Sequence, residues 1–333
     1  MNNKYKIIAE TAFSHEGNID YLINSIDAAV EAKVDIIKFQ VLLDKTGYCC
    51  EKHPSFKELD KWCFTEKQWL RVFKKAKKAG LSVLVLPLTV NSAKFCRTSA
   101  INLIDAYEVH SVCFNDVPLL ESLRGTSLPV ILGVGGRLPF EIVFVQNLLQ
   151  VEEEQLVLMY GFQSFPTDRK NLNLNKISKL SALFNTILGF ADHSQYDDIL
   201  FHELNLIAYQ KGCRWFEKHL VLNPGEKRTD FDSGIGVATF LEMRKRLDSL
   251  VCTLGNGDLF SLNTEEEKYM KREKQIVFTS DLSKDHILTK QDISYKIAST
   301  KSDFRQSSYP DLLGRTLVKN VTKEQPIRYG DLK

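Results

Sequence analysis

Residues 6–41 read KIIAETAFSHEGNIDYLINSIDAAVEAKVDIIKFQV, and this stretch decides the fold class. It begins with a short apolar run at 6–10, continues with a segment of helical periodicity at 19–32, and ends with a second apolar run at 36–41. Short β-rich runs joined by a longer helical segment are typical of parallel strands connected by a crossover helix. The stretch therefore predicts a strand–helix–strand unit.

The same alternation continues along the chain to about residue 220. The further strand candidates are 82–88, 102–109, 130–134, 155–161, 186–190 and 214–220, and the helical segments include 66–79, 140–149, 172–184 and 197–211. Each crossover is expected to be right-handed, and about eight successive units most simply close into a (β/α)8 TIM barrel. An open, doubly wound sheet is the structural alternative.

The length of the chain predicts a second domain, because 333 residues exceed the roughly 250 residues of one barrel. The polar segment 253–272 separates two better-patterned regions and is interpreted as a linker. Beyond it, 273–333 contains the strand-like pieces QIVFT, DISYKIA and RTLVKNV, which suit a compact β fold. The predicted organisation is a barrel over 1–252, a linker, and a small C-terminal β-rich domain.

The composition is that of an ordinary globular protein, with 44% hydrophobic and 26% charged residues. Lys and Arg number 44 against 42 Asp and Glu, so the formal charge of +2 does not favour nucleic acid or membrane surfaces as partners. The seven cysteines form no CxxC pair and are interpreted as reduced thiols. With no secretory leader and no apolar run long enough to span a membrane, a cytoplasmic protein is expected.

Polar side chains close several of the apolar strand runs, where a parallel barrel places its active face. They are Glu10 after the first strand, Lys38 and Gln40 in the second, His193 after the seventh, and Glu217 and His219 in the eighth. Because side chains alternate along a strand, Lys38 and Gln40 point the same way, as do Glu217 and His219. Both pairs are expected to face the barrel mouth.

His193 and His219 lie one strand–helix unit apart, so neighbouring strand ends could present both imidazoles to one divalent metal ion. The alternative is that each histidine only makes a hydrogen bond in a loop. For Lys38, the alternative to a substrate contact is an ion pair with a neighbouring acid at the barrel rim. The other histidines are interpreted as surface or structural residues.

Five segments occur in an order that one known family also shows: IIAETAFSHEG (7–17), VDIIKFQ (34–40), FPT (165–167), LGFADHS (188–194) and GCRWFEKHL (212–220). In these motifs the chain resembles the N-acetylneuraminate (sialic acid) synthase family over most of its length. The tail segments FTSDLSKDHILTKQDI (278–293) and DLLGRTLVKNVTKEQPIRYGDL (311–332) are similar to that family's antifreeze-like (SAF) domain. The resemblance implies a TIM barrel followed by such a domain.

The resemblance also implies an aldol-type, C–C bond-forming transferase. Phosphoenolpyruvate would condense with an N-acyl mannosamine-type sugar, releasing phosphate and giving a nine-carbon 2-keto acid. His193 and His219 would hold a divalent metal ion, Mn²⁺ first, with Mg²⁺ or Co²⁺ as alternatives. Glu10 would orient water or transfer a proton, and Lys38 and Gln40 would engage the substrates. The implied substrate-binding residues are Asp230, Glu217, Phe165, Gln163 and Arg305.

The partners implied by the resemblance are a small-molecule sugar and a second copy of the chain. In the family, a homodimer places the C-terminal domain over the partner's barrel, where an RPG motif supplies an arginine to the active site. Here Ala298 stands nearest that position, and Arg305 is the candidate substitute.

The departures from the family pattern concentrate on the phosphate pocket. Glu108 stands where the family has a lysine, and apolar residues replace polar ones at other pocket positions: Leu86, Leu88, Val134 and Ala191. A glutamate in place of a lysine exchanges attraction for repulsion toward a phosphate. Further changes, on the sugar side, place Phe165 at a tyrosine position, Ser14 at an asparagine position and Cys113 at a glutamate position.

Three functions therefore stay open at this point. The first is a divergent synthase that still condenses a three-carbon enol donor with a sugar aldehyde. The second keeps the barrel and the metal but acts on a sugar acid without phosphoenolpyruvate, as a lyase, epimerase or hydrolase. The third is a non-catalytic relative that binds a glycan precursor or a partner enzyme.

Overall fold

A computed structural model describes residues 5–164 and 166–333 of the chain. The chain divides into two compact units, with the division between Gly255 and Asn256. The segment interpreted as a linker, 253–272, contains a helix of the second unit, Thr264–Met270, which begins with an asparagine N-cap and three consecutive glutamates.

In the described part of the first unit, eight parallel strands follow one another in sequence order, and the first pairs with the eighth. The strands are β1 Lys6–Glu10, β2 Ile36–Val41, β3 Ser82–Pro87, β4 Ala106–Val109, β5 Val130–Gly133, β6 Leu156–Tyr160, β7 Ile187–Ala191 and β8 Cys213–Leu220, with the short β9 Gly234–Ile235 beside β8. The pairing of β1 with β8 closes the sheet, so the TIM barrel is confirmed and the open sheet is excluded.

Helices cover the outside of the barrel. They are α1 Ile19–Glu31, α2 Phe56–Trp62, α3 Glu66–Lys78, α4 Val90–Arg97, α5 Val117–Leu123, α6 Pro139–Leu149, α7 Arg169–Leu172, α8 Asn175–Leu183, α9 Phe201–Gln210 and α10 Val237–Leu254. The start of α1 follows from local chemistry, because the Asn18 side chain accepts hydrogen bonds from the backbone N–H groups of Asp20 and Tyr21. At the start of α3, Thr65 and Gln68 form a capping box, in which each side chain accepts a hydrogen bond from the backbone N–H of the other residue.

The predicted strand 102–109 is wrong in its first half. Residues Ile101–Leu103 form one turn of 3-10 helix, and the strand begins only at Ala106. Ile101 and Asn102 are exposed, so no burial draws them into the sheet. Asp105, just before the strand, is tied to β3, because its carboxylate accepts a hydrogen bond from the backbone N–H of Val83 at 2.7 Å.

The alternation of side chains along the strands creates two separate cores. Outward residues pack against the helices, whereas inward residues form a small apolar layer inside the barrel. The members of this apolar layer are Ile8, Ile36, Leu84, Ala106, Ile131, Val157, Met159, Ala191 and Trp215, and each is at most 7% exposed. The barrel is therefore filled by side chains below its carboxyl-end mouth, as barrels of eight strands usually are.

The second unit is small and β-rich. Its described residues include helices α11 Thr264–Met270 and α12 Tyr309–Leu312 and two antiparallel strands, β10 Gln275–Phe278 and β11 Ile293–Lys296. The third predicted strand piece, RTLVKNV, contributes only isolated bridges, such as Leu282 with Val321. The core of the unit consists of Ile276, Phe278, Leu288, Ile293, Leu312, Leu317, Val321, Ile327 and Leu332.

Two observations concern the environment of the chain. None of the helices in the described ranges combines the length and apolar character that a membrane crossing requires. The seven cysteines, all within those ranges, are free thiols, as their spacing predicted.

Candidate active site

The sheet register brings the predicted residues of β1, β2 and β8 to one level of the barrel. Glu10 is paired with Lys38 on one side and with His219 on the other. All three side chains are buried, at 1–2% exposure. They lie above the apolar layer, because Ile8 and Ile36 precede Glu10 and Lys38 by two residues on the same faces. The expectation that these side chains share the mouth of the barrel agrees with this register.

Glu10, His193 and His219 form a group that could hold a metal ion, here called the metal triad. One ligand atom from each residue lies within 4.8 Å of the others, and the two imidazole rings are 5.1 Å apart and nearly perpendicular. The Nδ1 atom of His193 is buried and has no hydrogen-bond partner among the described residues. A carboxylate with two imidazoles suits a divalent transition metal, and three protein ligands leave coordination positions for a substrate.

The pKa shifts of Glu10 and His193 suit metal ligands. Burial lowers the pKa of His193 well below its usual value, and the neighbouring His219 lowers it further, so its imidazole is neutral. Burial alone would raise the pKa of Glu10, but Lys38 and His219 together hold it well below the usual range. Burial would likewise lower the pKa of His219, yet its hydrogen bond to Glu10 raises it. The triad therefore offers one ionised carboxylate.

The His219 ring is oriented by contacts at its Nδ1 atom, on the side away from Glu10. Its Nδ1 atom lies 3.2 Å from the Ser233 hydroxyl and 3.4 Å from the Asp230 carbonyl oxygen. With Nδ1 occupied in this way, Nε2 faces Glu10 Oε2 at 3.5 Å and is the atom available to an ion. Sequence reasoning missed Ser233, although it lies in the RTDFDSG segment that supplied Asp230.

Lys38 lies at the centre of three carboxylates, a group called the Lys38 cluster: Lys38, Glu10, Glu108 and Glu217. Its Nζ atom is 2.8 Å from Glu108 Oε1, 2.9 Å from Glu217 Oε1 and 3.1 Å from Glu10 Oε2. All four side chains are at most 4% exposed. Gln40 donates a hydrogen bond of 2.8 Å to the other oxygen of Glu10. Lys38 thus makes the ion pairs that were the alternative to a substrate contact.

The charge of the Lys38 cluster follows from burial and mutual repulsion. The three carboxylates outweigh the burial of Lys38 and raise its pKa well above its usual value, so it stays an ammonium ion. Burial raises the pKa of Glu108 to about 7 against the opposing attraction of Lys38. Burial also raises the pKa of Glu217 well above its usual value, with Glu108 and Glu10 adding to the effect. The cluster is therefore acidic and partly protonated near neutral pH.

Two of the predicted substrate-binding residues, Gln163 and Asp230, lie beside His219 of the metal triad. Gln163 donates a hydrogen bond of 2.9 Å to Asp230 Oδ1, and both residues are partly exposed. Asp230 has a left-handed backbone, with φ of 62°, which turns the chain after β8 back toward His219. Phe165 lies outside the described residues. Arg305 is an exposed residue of the second unit, and its predicted contact with substrate stays a prediction.

Lys218 contacts the loop that carries His193 from the outer side of the barrel. The Lys218 side chain points to the outer face of the barrel, because side chains alternate along β8 and those of Glu217 and His219 point inward. Its Nζ atom donates a hydrogen bond of 2.6 Å to the Ser194 carbonyl oxygen and lies 3.4 Å from Asp192 Oδ1. Asn205 on α9 donates to the second oxygen of Asp192 at 3.2 Å. These buried contacts fix the residues on both sides of His193.

The positions that depart from the family's phosphate pocket are apolar and buried. Leu86, Leu88, Val134 and Ala191 are each at most 5% exposed, and the first three belong to the larger hydrophobic cluster of the first unit. Their side chains offer no hydrogen-bond donor to a phosphate oxygen. Together with Glu108 they leave this part of the mouth poor in groups that attract anions.

Comparison with known proteins gives three kinds of similarity. The sequence profile of the NeuB family matches residues 25–259. A pseudaminic acid synthase from Campylobacter jejuni is 24% identical over 352 residues, covering 100% of this chain and 98% of its own. An N-acetylneuraminate-9-phosphate synthase from Drosophila melanogaster is 24% identical over 374 residues, covering 96% of this chain and 94% of its own.

Among solved structures, the N-acetylneuraminic acid (sialic acid) synthetase of Leptospira borgpetersenii, crystallised in complex with citrate, superposes with a TM-score of 0.72. The two chains are 22% identical, and the match covers 81% of this chain and 92% of the other. This likeness supports the barrel fold.

Proposed function

Because this chain belongs to the NeuB family, we propose that it makes a sugar acid by forming a carbon–carbon bond at the aldehyde of an N-acyl mannosamine-type sugar. The product would be a nine-carbon 2-keto acid. The observation that carries the proposal is the metal triad, whose three ligand atoms meet at the mouth of the barrel. The names of the relatives, synthases of pseudaminic acid and of N-acetylneuraminate 9-phosphate, support a sugar acid as product.

Glu10, His193 and His219 would hold a divalent ion, for which Mn²⁺ is the first choice and Mg²⁺ or Co²⁺ the alternatives. When bound, such an ion supplies Lewis-acid polarisation of the sugar aldehyde oxygen. Two imidazoles with one carboxylate are compatible with Mn²⁺ and Co²⁺, while Mg²⁺ prefers oxygen ligands. The chain itself keeps the ligands in place through Gln40 on Glu10 and Ser233 on His219.

The remaining site residues would bind and orient the sugar. Asp230 and Gln163 are polar, partly exposed and hydrogen-bonded to each other at the rim, so they can exchange that bond for sugar hydroxyls. Lys38 keeps its proton, and its charge holds Glu10 ionised for the triad. A side chain that stays an ammonium ion positions its neighbours and does not act as a base.

Two three-carbon donors fit this reaction. Phosphoenolpyruvate is the donor that the resemblance implies, with release of phosphate. The contact of Glu108 with Lys38 favours a second candidate, in which pyruvate is the three-carbon partner and the sugar acid is made or cleaved without phosphoenolpyruvate. In both candidates the metal triad and the sugar side are shared.

The test is an assay of the purified chain with N-acetylmannosamine and with either phosphoenolpyruvate or pyruvate, in the presence of Mn²⁺. We expect a 2-keto sugar acid, detected by mass spectrometry, that disappears when EDTA removes the ion. Phosphate release identifies the first donor, and product without phosphate identifies the second. A metal-loaded sample that forms no product with either donor and any N-acyl hexosamine would overturn the proposal.

We also propose a cytoplasmic homodimer in which the C-terminal domain covers the partner's barrel and brings Arg305 toward its site. Arg305 is exposed, which leaves its guanidinium available for a substrate carboxylate. The expected mass in sedimentation equilibrium is twice the 38.1 kDa of one chain. A single species of 38.1 kDa at micromolar concentration would contradict this arrangement.

A further inference from the structure

The Lys38 cluster adjoins the metal triad, since both contain Glu10. Glu10 Oε2 lies 3.5 Å from His219 Nε2 and 3.1 Å from Lys38 Nζ. A molecule at the triad is therefore adjacent to the Lys38 cluster, in which Glu108 and Glu217 lie on the other side of Lys38.

Lys38 has no capacity left for a phosphate group. An ammonium ion has three N–H donors, and three carboxylate oxygens already lie within 3.1 Å of Nζ. A phosphate would have to displace one of these carboxylates and leave it buried without a countercharge. The loss of one partner from a buried ion pair is costly, because it leaves an uncompensated buried charge.

The same cluster has acceptors that are not used. The Oε2 atoms of Glu108 and Glu217 are buried and have no hydrogen-bond partner among the described residues. The two residues are only 3% and 2% exposed, so water does not reach them freely. Buried polar atoms are nearly always paired, and these two atoms therefore point to a ligand that carries hydrogen-bond donors.

We infer that Glu108 determines specificity at this end of the site, where the Lys38 cluster accepts uncharged hydroxyl groups of a substrate and rejects a phosphate. The inference rests on the proposed function and names the substrate class for it: an unphosphorylated molecule at the part that meets the Lys38 cluster. Glu108 is the deciding residue because it contributes both a negative charge and a free acceptor, and because it lies outside the metal triad.

The test compares pyruvate with phosphoenolpyruvate, which differ by the phosphate group. Isothermal titration calorimetry with Mn²⁺-loaded protein at pH 8 measures both affinities in the wild type and in Glu108→Gln. We expect the wild type to bind pyruvate more tightly. In Glu108→Gln, the affinity ratio should move toward phosphoenolpyruvate by about tenfold or more, because a buried negative charge is removed. The exposed Glu121→Gln is the matched control and should leave the ratio unchanged.

A second variant, Glu108→Leu, tests the free acceptor. It should weaken binding of uncharged N-acetylmannosamine by about tenfold, because one hydrogen-bond partner is lost. A wild type that prefers phosphoenolpyruvate, or a ratio that Glu108→Gln does not change, overturns the inference. These readouts are binding constants and need no turnover, so the inference can fail while the synthase reaction is observed, and the reverse.

Discussion

Replacing His219 with alanine is expected to lower the affinity for Mn²⁺ by about 100-fold or more and to abolish product formation. His219 supplies one of the three ligand atoms that lie within 4.8 Å of one another, and its loss leaves only Glu10 and His193. Two ligands do not hold a divalent ion in a defined geometry. Equilibrium dialysis followed by elemental analysis measures the bound metal, and the synthase assay measures the product.

The control for this result is His53→Ala, which removes an exposed histidine of the same unit. It should bind Mn²⁺ and form product like the wild type. Circular dichroism in EDTA should show that His219→Ala keeps the fold, since the barrel does not depend on the ion for its core. Unchanged metal content in His219→Ala would show that the triad is not the metal site.

Replacing Lys38 with methionine is expected to destabilise the chain by about 3–5 kcal/mol at pH 8. Methionine fills most of the space of the lysine stem, so the change mainly removes the charge. Glu10, Glu108 and Glu217 would then remain buried near one another without a cation. Urea unfolding in the presence of EDTA measures the difference in the free energy of unfolding.

The destabilisation should depend on pH, with a sign that follows from Glu108. Its pKa in the fold is about 7, above the usual 4.5, so proton binding stabilises the fold fully below about pH 4.5. This stabilisation is lost as the pH rises through 7. Without Lys38 the carboxyl pKa values rise further, and the cost of ionising the carboxyls grows. The difference between wild type and Lys38→Met should therefore be small at pH 5 and large at pH 8.

Two further variants make this result specific. Lys52→Met removes an exposed lysine and should change the stability by less than about 0.5 kcal/mol. The double variant Lys38→Met with Glu217→Gln should recover part of the loss, because one buried charge is gone. Equal destabilisation at pH 5 and pH 8 would show that packing, and not charge, explains the effect.

Much of the barrel could be predicted from the sequence because its signal is local. Each strand is a short apolar run, and each crossover helix has its own periodicity and caps, as at Asn18 and Thr65. The alternation of side chains also placed Lys38 with Gln40, and Glu217 with His219, on the inward face. The first half of 102–109 was wrong because Ile101 and Asn102 are exposed and form a 3-10 turn with Leu103, and their exposure depends on surroundings in three dimensions.

The contacts that define the site could not be predicted in the same way, because they join distant strands. Glu108 and Lys38 are 70 residues apart, and their 2.8 Å contact depends on the register of the whole sheet. Sequence reasoning predicted that Glu108 repels a phosphate, and the structure adds that its carboxylate pairs with Lys38. Glu10 was interpreted as a group that orients water or transfers a proton, and the geometry adds it to the candidate metal ligands. Glu10 and His219 come together only because β1 pairs with β8, and that pairing joins strands far apart in the sequence.

The apolar layer inside the barrel has a kinetic consequence. Ile8, Ile36, Trp215 and their neighbours fill the space beneath Glu10 and Lys38. The site at the mouth of the barrel is therefore closed at its base. If two substrates react there, as proposed, both enter from the carboxyl end of the barrel. The one that reaches the deepest position has to arrive first and depart last, so the enzyme's steady-state behaviour should follow a compulsory order of addition and release.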